Sequence, residues 1–106
     1  MIFSINGTMW QVQYENSNSG ELKRSDNVSV LGVTDNNAKT IYINNRLSDD
    51  MFDKVLCHEL VHAYSFENDC DIDIQTEEII ANFMSLFGRD IIYLLDDLVK
   101  ILKRVA

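Results

Sequence analysis

The stretch His58-Glu59-Leu60-Val61-His62 decides how the rest of this chain is interpreted, because it contains both histidines of the 106-residue sequence. On a helix each residue turns by about 100°, so histidines four positions apart lie one turn apart on the same face. Their ring nitrogens can then bind one metal ion, and Glu59 can reach a water on that ion. The spacing therefore predicts a catalytic zinc site with Glu59 as the general base, an arrangement suited to peptide hydrolysis.

Two histidines leave a catalytic zinc one protein ligand short. The sequence has no third histidine, but Glu77 and Glu78 lie in the first turn of the next predicted helix. Asn82 follows Glu78 by four residues, so its side-chain oxygen could accept a proton from a metal-bound histidine. We therefore expect Glu78 to be the third ligand and Asn82 to orient a histidine, with Glu77 as the fallback ligand.

The composition limits the classes of function. The net charge is −8, and nucleic-acid binders need clustered cations that this chain lacks, so we expect no nucleic-acid partner. No apolar run approaches the roughly 20 residues of a membrane span, and the N-terminus lacks the pattern of a secretion signal. We therefore expect a soluble cytoplasmic protein with no membrane partner, in which Cys57 and Cys70 stay reduced.

The first half of the chain is typical of β-structure. Residues 2–5 and 9–15 flank an Asn6-Gly7 turn, and residues 30–34 and 40–44 flank a second polar turn, so two hairpins are predicted. Residues 16–29 between them are polar and are predicted to form a long loop or flap. These four strands would form a small antiparallel or mixed sheet.

The second half is typical of helices. Ser48 is a good N-cap for a helix that runs through the histidines to about residue 66, and its wide apolar surface predicts a central position. Thr76 is expected to cap a second helix ending at Gly88, and a third helix carries the apolar stripe Ile91, Leu94, Leu95, Leu98, Ile101, Leu102 and Val105. We expect the stripe to pack in the core rather than form a dimer seam, which predicts a monomer or weak dimer. The fold class is thus α+β, with residues 1–106 forming one domain.

The motif HELVHA at residues 58–63, followed by EIIAN at residues 78–82, resembles the metallopeptidases of the ImmA/IrrE type. The resemblance is strongest to their small stand-alone relatives encoded in phages and prophages, and it covers roughly residues 48–87. It implies a minimal zincin-like fold, with zinc held by the two histidines and the downstream glutamate. It also implies a protein substrate, such as a repressor or another transcription regulator.

Peptidases of this architecture commonly bind substrate as an added strand on a sheet edge, which residues 30–34 or 40–44 could provide. The leading hypothesis is a zinc-dependent endopeptidase acting on a cytoplasmic protein. The alternative is a non-catalytic interaction protein of phage origin that keeps the fold and binds a host or phage protein. A structural virion component is a third possibility, based on the phage association alone.

Overall fold

The computed structural model describes residues 1–23 and 30–105, which form a four-stranded mixed sheet packed against two helices. The strands are β1 (Ile2–Ile5), β2 (Thr8–Glu15), β3 (Gly32–Asp35) and β4 (Thr40–Asn44), and the helices are α1 (Asp49–Glu67) and α2 (Ile74–Val105). The order across the sheet is β1-β2-β4-β3. The predicted α+β fold class is confirmed.

Both predicted hairpins are present, and a parallel contact joins them. Asn6 and Gly7 have φ values of 52° and 84°, the left-handed conformation that a tight hairpin turn requires. In the second turn, the Asp35 carboxylate accepts hydrogen bonds from the backbone of residues 37 and 38. β2 then pairs in parallel with β4, which makes the sheet mixed. Of the predicted loop, Gly20–Leu22 form a short 3-10 helix, and residues 24–29 lie outside the described part of the chain.

α1 begins where the sequence predicts and lies against the sheet. The Ser48 hydroxyl accepts a hydrogen bond from the Met51 backbone N–H, which caps the helix. The core between α1 and the sheet consists of Ile5, Trp10, Ile41, Ile43 and Ala63. At the other end of α1, Glu67 accepts hydrogen bonds from the Trp10 indole and the Lys39 ammonium group. These contacts fix how α1 crosses the strands.

α2 differs from the prediction in three ways. It continues through Gly88 for 32 residues, so the predicted break between a second and a third helix is wrong. Gly88 costs the helix only about 1 kcal/mol, and strong helix formers on both sides outweigh that cost. Asp73, rather than Thr76, accepts the capping hydrogen bond, which the Thr76 backbone N–H donates. The stripe residues from Ile91 to Leu102 are exposed, so their predicted packing in the core is also wrong. Within residues 1–23 and 30–105, neither α1 nor α2 contains an apolar stretch that could span a membrane.

Candidate metal centre

The two histidines of α1 and one glutamate of α2 converge on a common centre. His58 and His62 lie one turn apart, with ring centroids separated by 5.0 Å. The Nε2 atom of His58 is 3.0 Å from Oε2 of Glu78, and Nε2 of His62 is 2.7 Å from Oε1 of the same carboxylate. One ligand atom from each residue lies within 4.8 Å of the other two. Two imidazole nitrogens and a carboxylate oxygen form a donor set that suits zinc, so these residues could hold one metal ion.

A tight connection between the helices positions Glu78. Asp69 and Asp71 adopt positive φ values of 47° and 51°, and the chain reverses direction through them. Asp73 then caps α2 by accepting hydrogen bonds from the backbone and hydroxyl of Thr76, which hold the pKa of its carboxyl below the ordinary value. Glu78 follows in the first turns of α2, facing the histidines.

Glu77 lies on the other side of the His62 ring. Its Oε1 atom is 2.5 Å from Nδ1 of His62, its Oε2 accepts a hydrogen bond of 2.7 Å from the Ser65 hydroxyl, and only 6% of the residue is exposed. A carboxylate on Nδ1 fixes the ring orientation and leaves Nε2 directed at the metal centre. Glu77 is therefore placed to orient His62, and it is not part of the group that could hold a metal.

Asn82 does not make the contact that the sequence predicts. It lines the cavity beside the histidines, but none of the hydrogen bonds of the described residues joins its amide to either ring. In the sequence, the acceptor for a histidine N–H was sought only at the position four residues after Glu78, on the same face of the helix. Adjacent residues on a helix point about 100° apart, so a Glu-Glu pair can reach two different atoms of one partner. That pair was the sequence signal for the role of Glu77.

Glu59 is a buried carboxylate beside this centre. It is 8% exposed, and the Thr34 hydroxyl lies 2.9 Å from both its Oε1 atom and its backbone oxygen. Burial raises the pKa of Glu59 above its ordinary value, and the Thr34 hydrogen bond and the two nearby imidazoles offset part of that rise. A raised pKa makes this carboxylate a stronger base toward a water molecule at the centre. Sequence reasoning did not identify Thr34, because its contact depends on the packing of β3 on α1.

A cavity of about 800 Å³ connects the histidines, Glu59 and Glu78 with residues 30–34. β4 is paired on both sides, whereas β3 forms one edge of the described sheet, so of the two strands considered for substrate only β3 has a free edge. Gly32 permits the close approach of β3 to α1, because a Cβ atom there would lie 2.7 Å from Cγ1 of Val55.

Two histidines and a glutamate around an open cavity form the kind of site that metal-dependent hydrolases use. The chain belongs to a peptidase family: the family model described as the IrrE N-terminal-like domain matches residues 10–94, which include the whole centre described above. Comparisons with curated proteins and with solved structures returned no significant match. The family agrees with the resemblance noted in the sequence.

Proposed function

We propose that this chain is a zinc-dependent endopeptidase of one zincin-like domain, which hydrolyses a protein in the cytoplasm. His58, His62 and Glu78 hold the metal in this proposal, and Glu59 is the general base. The observation that carries it is the convergence of three ligand side chains beside a buried carboxylate in one cavity. A repressor or another regulator is the proposed class of substrate, on the basis of the family resemblance.

Each residue has a defined chemical task. A bound zinc ion would supply Lewis acidity, which polarises the scissile carbonyl and acidifies a water molecule. Glu59 takes the proton of the attacking water and delivers it to the amine that leaves, and its raised pKa favours the first of these transfers. Thr34 holds the Glu59 carboxylate in place, and Glu77 holds the His62 ring. The chain thus fixes both the base and one ligand before substrate arrives.

The edge of β3 that is unpaired among the described strands defines how substrate would bind. An extended peptide added to this edge would form backbone hydrogen bonds with β3 and pass directly beside Glu59 and the histidines. Backbone pairing supplies affinity without much sequence preference. Apolar residues also line the cavity, namely Leu31, Met51, Phe66 and Ile74. A substrate with an apolar side chain near the scissile bond therefore fits best.

The experiment compares protein termini in cells that express the wild type or Glu59→Gln. Wild-type cells should contain new N-termini from a small set of proteins, and these should be absent with Glu59→Gln, which keeps the shape of the side chain but cannot act as a base. Glu21→Gln, which neutralises an exposed carboxylate, is the matched control and should cleave like the wild type. Purified Glu59→Gln should still bind one zinc ion per chain.

Identical termini in wild-type and Glu59→Gln cells would contradict the proposal. If a cellular effect of the protein also survived Glu59→Gln intact, the chain would act by binding rather than by catalysis. That outcome would favour the alternative of a non-catalytic interaction protein.

A further inference from the structure

The second half of α2 extends away from the rest of the molecule with its apolar side chains uncovered. A helix of 32 residues is roughly 48 Å long, and the longest dimension of the molecule is 55 Å. On one face of this segment, six apolar residues have exposed fractions between 46% and 61%: Ile91, Leu94, Leu95, Leu98, Ile101 and Leu102. Tertiary packing stabilises most protein helices, and beyond the ion pair of Arg89 with Asp53 no hydrogen bond or ion pair of the described residues joins this segment to another element.

The spacing of these residues matches a coiled-coil seam. Apolar residues recur at alternating intervals of three and four: Met84, Phe87, Ile91, Leu94, Leu98 and Ile101. Leu95 and Leu102 widen the seam on one side, whereas Tyr93 and Lys100 lie almost opposite it. A repeat sustained over three heptads specifies pairing with another helix along its length.

The uncovered area is large enough for an interface. The six exposed residues present roughly 600 Å² of surface, which exceeds scattered exposure on a monomer and approaches the roughly 800 Å² that each partner buries in a standard complex. We call residues 87–104 of α2 the α2 seam. Its area fits a dimer of modest affinity.

The charges beside the α2 seam select a second copy of the same chain in antiparallel orientation. Asp90 and Arg104 flank the apolar face on the same side, near opposite ends of the α2 seam, and Asp97 flanks it near the middle. A parallel pair would place these flanking residues beside the apolar residues Leu95 and Leu102, with no opposite charge to meet. An antiparallel pair places Asp90 of each helix beside Arg104 of the other, which is favourable.

The heptad positions fix the register of this pairing. When Leu94 packs against Leu98 of the second copy, Ile91 packs against its Ile101, and Asp90 faces its Arg104 on both sides of the two-fold axis. The Asp97 carboxylates of the two copies lie near each other at the two-fold axis, and their repulsion weakens the dimer. We propose that this chain forms an antiparallel homodimer through the α2 seam. The two cavities then lie at opposite ends, roughly 50 Å apart along the helices, so each is open to substrate.

Sedimentation equilibrium of the full chain tests this proposal without any assay of cleavage. The wild type should form dimers at micromolar concentrations, and Leu98→Glu should raise the dissociation constant at least about 100-fold, because it buries a carboxylate in the seam. Tyr93→Glu is the matched control: it adds the same charge opposite the seam and should leave the dimer intact. A wild type that stays monomeric at several hundred micromolar would overturn the proposal, as would a Tyr93→Glu variant as weak as Leu98→Glu.

Charge reversal tests the orientation. Asp90→Arg and Arg104→Asp should each weaken the dimer roughly tenfold, because each places like charges at two symmetric pairs. The double variant should recover most of that loss, because it restores both pairs with the signs exchanged. Losses that simply accumulate in the double variant would overturn the antiparallel register. Circular dichroism of every variant should show the same total helix content as the wild type.

Discussion

Replacing Gly32 by alanine should weaken the packing of β3 on α1. The new Cβ atom would lie 2.7 Å from Cγ1 of Val55 and 3.1 Å from Cγ of Glu59, whereas carbon atoms prefer about 3.5–4.0 Å. Val55 is β-branched and has little rotamer freedom on a helix, so β3 must move instead. Overpacking of this kind costs about 1–3 kcal/mol, and alanine recovers about 0.5–1 kcal/mol of chain entropy. The net loss in free energy of unfolding should be about 1–2 kcal/mol, measured by urea denaturation.

A second substitution shows whether the clash is the cause. Val55→Ala removes the nearest atom at a cost of its own, about 1–2 kcal/mol for a half-buried side chain. In the double variant Gly32→Ala with Val55→Ala, the loss in free energy of unfolding should be about 1 kcal/mol smaller than the sum of the two single losses, since the clash no longer exists. The remaining contact with Glu59 keeps the rescue incomplete. If Gly32→Ala unfolds at the same urea concentration as the wild type, the clash does not weaken the packing of β3. If the losses of the two single variants simply add in the double variant, Val55 is not its cause.

Three further predictions concern α2, the His62 ring and the end of α1. Gly88→Ala should raise the free energy of unfolding by up to about 1 kcal/mol in thermal or urea denaturation, because the flexible end of Met84 is the nearest group to the new Cβ; a loss of stability would indicate that the helix ends there. Glu77→Gln should weaken zinc binding about 10–100-fold in a competition titration, because an amide orients the His62 ring less strongly; unchanged affinity would contradict that role. The hydrogen bond from Lys39, and after it the hydrogen bond from Trp10, lowers the pKa of Glu67. The ionised carboxylate therefore stabilises the fold above the ordinary carboxyl pKa, and this stabilisation is lost as the pH falls through the lowered pKa. The gap in free energy of unfolding between the wild type and Glu67→Gln should therefore narrow on acidification from pH 7 to pH 3, and a constant gap would argue against it.

Local sequence signals predicted most of the fold. The Asn6-Gly7 turn and the Ser48 cap each depend on residues that are close in the chain, so strands and the start of α1 could be located without tertiary information. Gly88 was wrongly predicted to end a helix. Glycine allows the chain to leave the helical conformation but does not force it to, and here α2 continues through Gly88. The stripe of α2 was misinterpreted for another reason: periodicity reveals an apolar face but does not reveal what covers it.

The candidate site was predictable to the extent that helix geometry determines it. The spacing of His58 and His62 and the need for a third ligand pointed to the glutamate pair. The contact of Thr34 depends on how β3 packs against α1, which no local pattern encodes, and the Glu77 contact had only the adjacent glutamates as its signal. Supporting contacts of a site are therefore harder to predict than its ligands.

A zinc titration of the purified wild type and Glu78→Ala decides whether His58, His62 and Glu78 together bind one metal ion. We expect one zinc ion per wild-type chain and an affinity at least about 100-fold lower in Glu78→Ala, because the loss of a ligand costs more than the loss of a supporting contact. If Glu78→Ala binds zinc as tightly as the wild type, Glu78 is not a ligand and the three residues do not form the metal site.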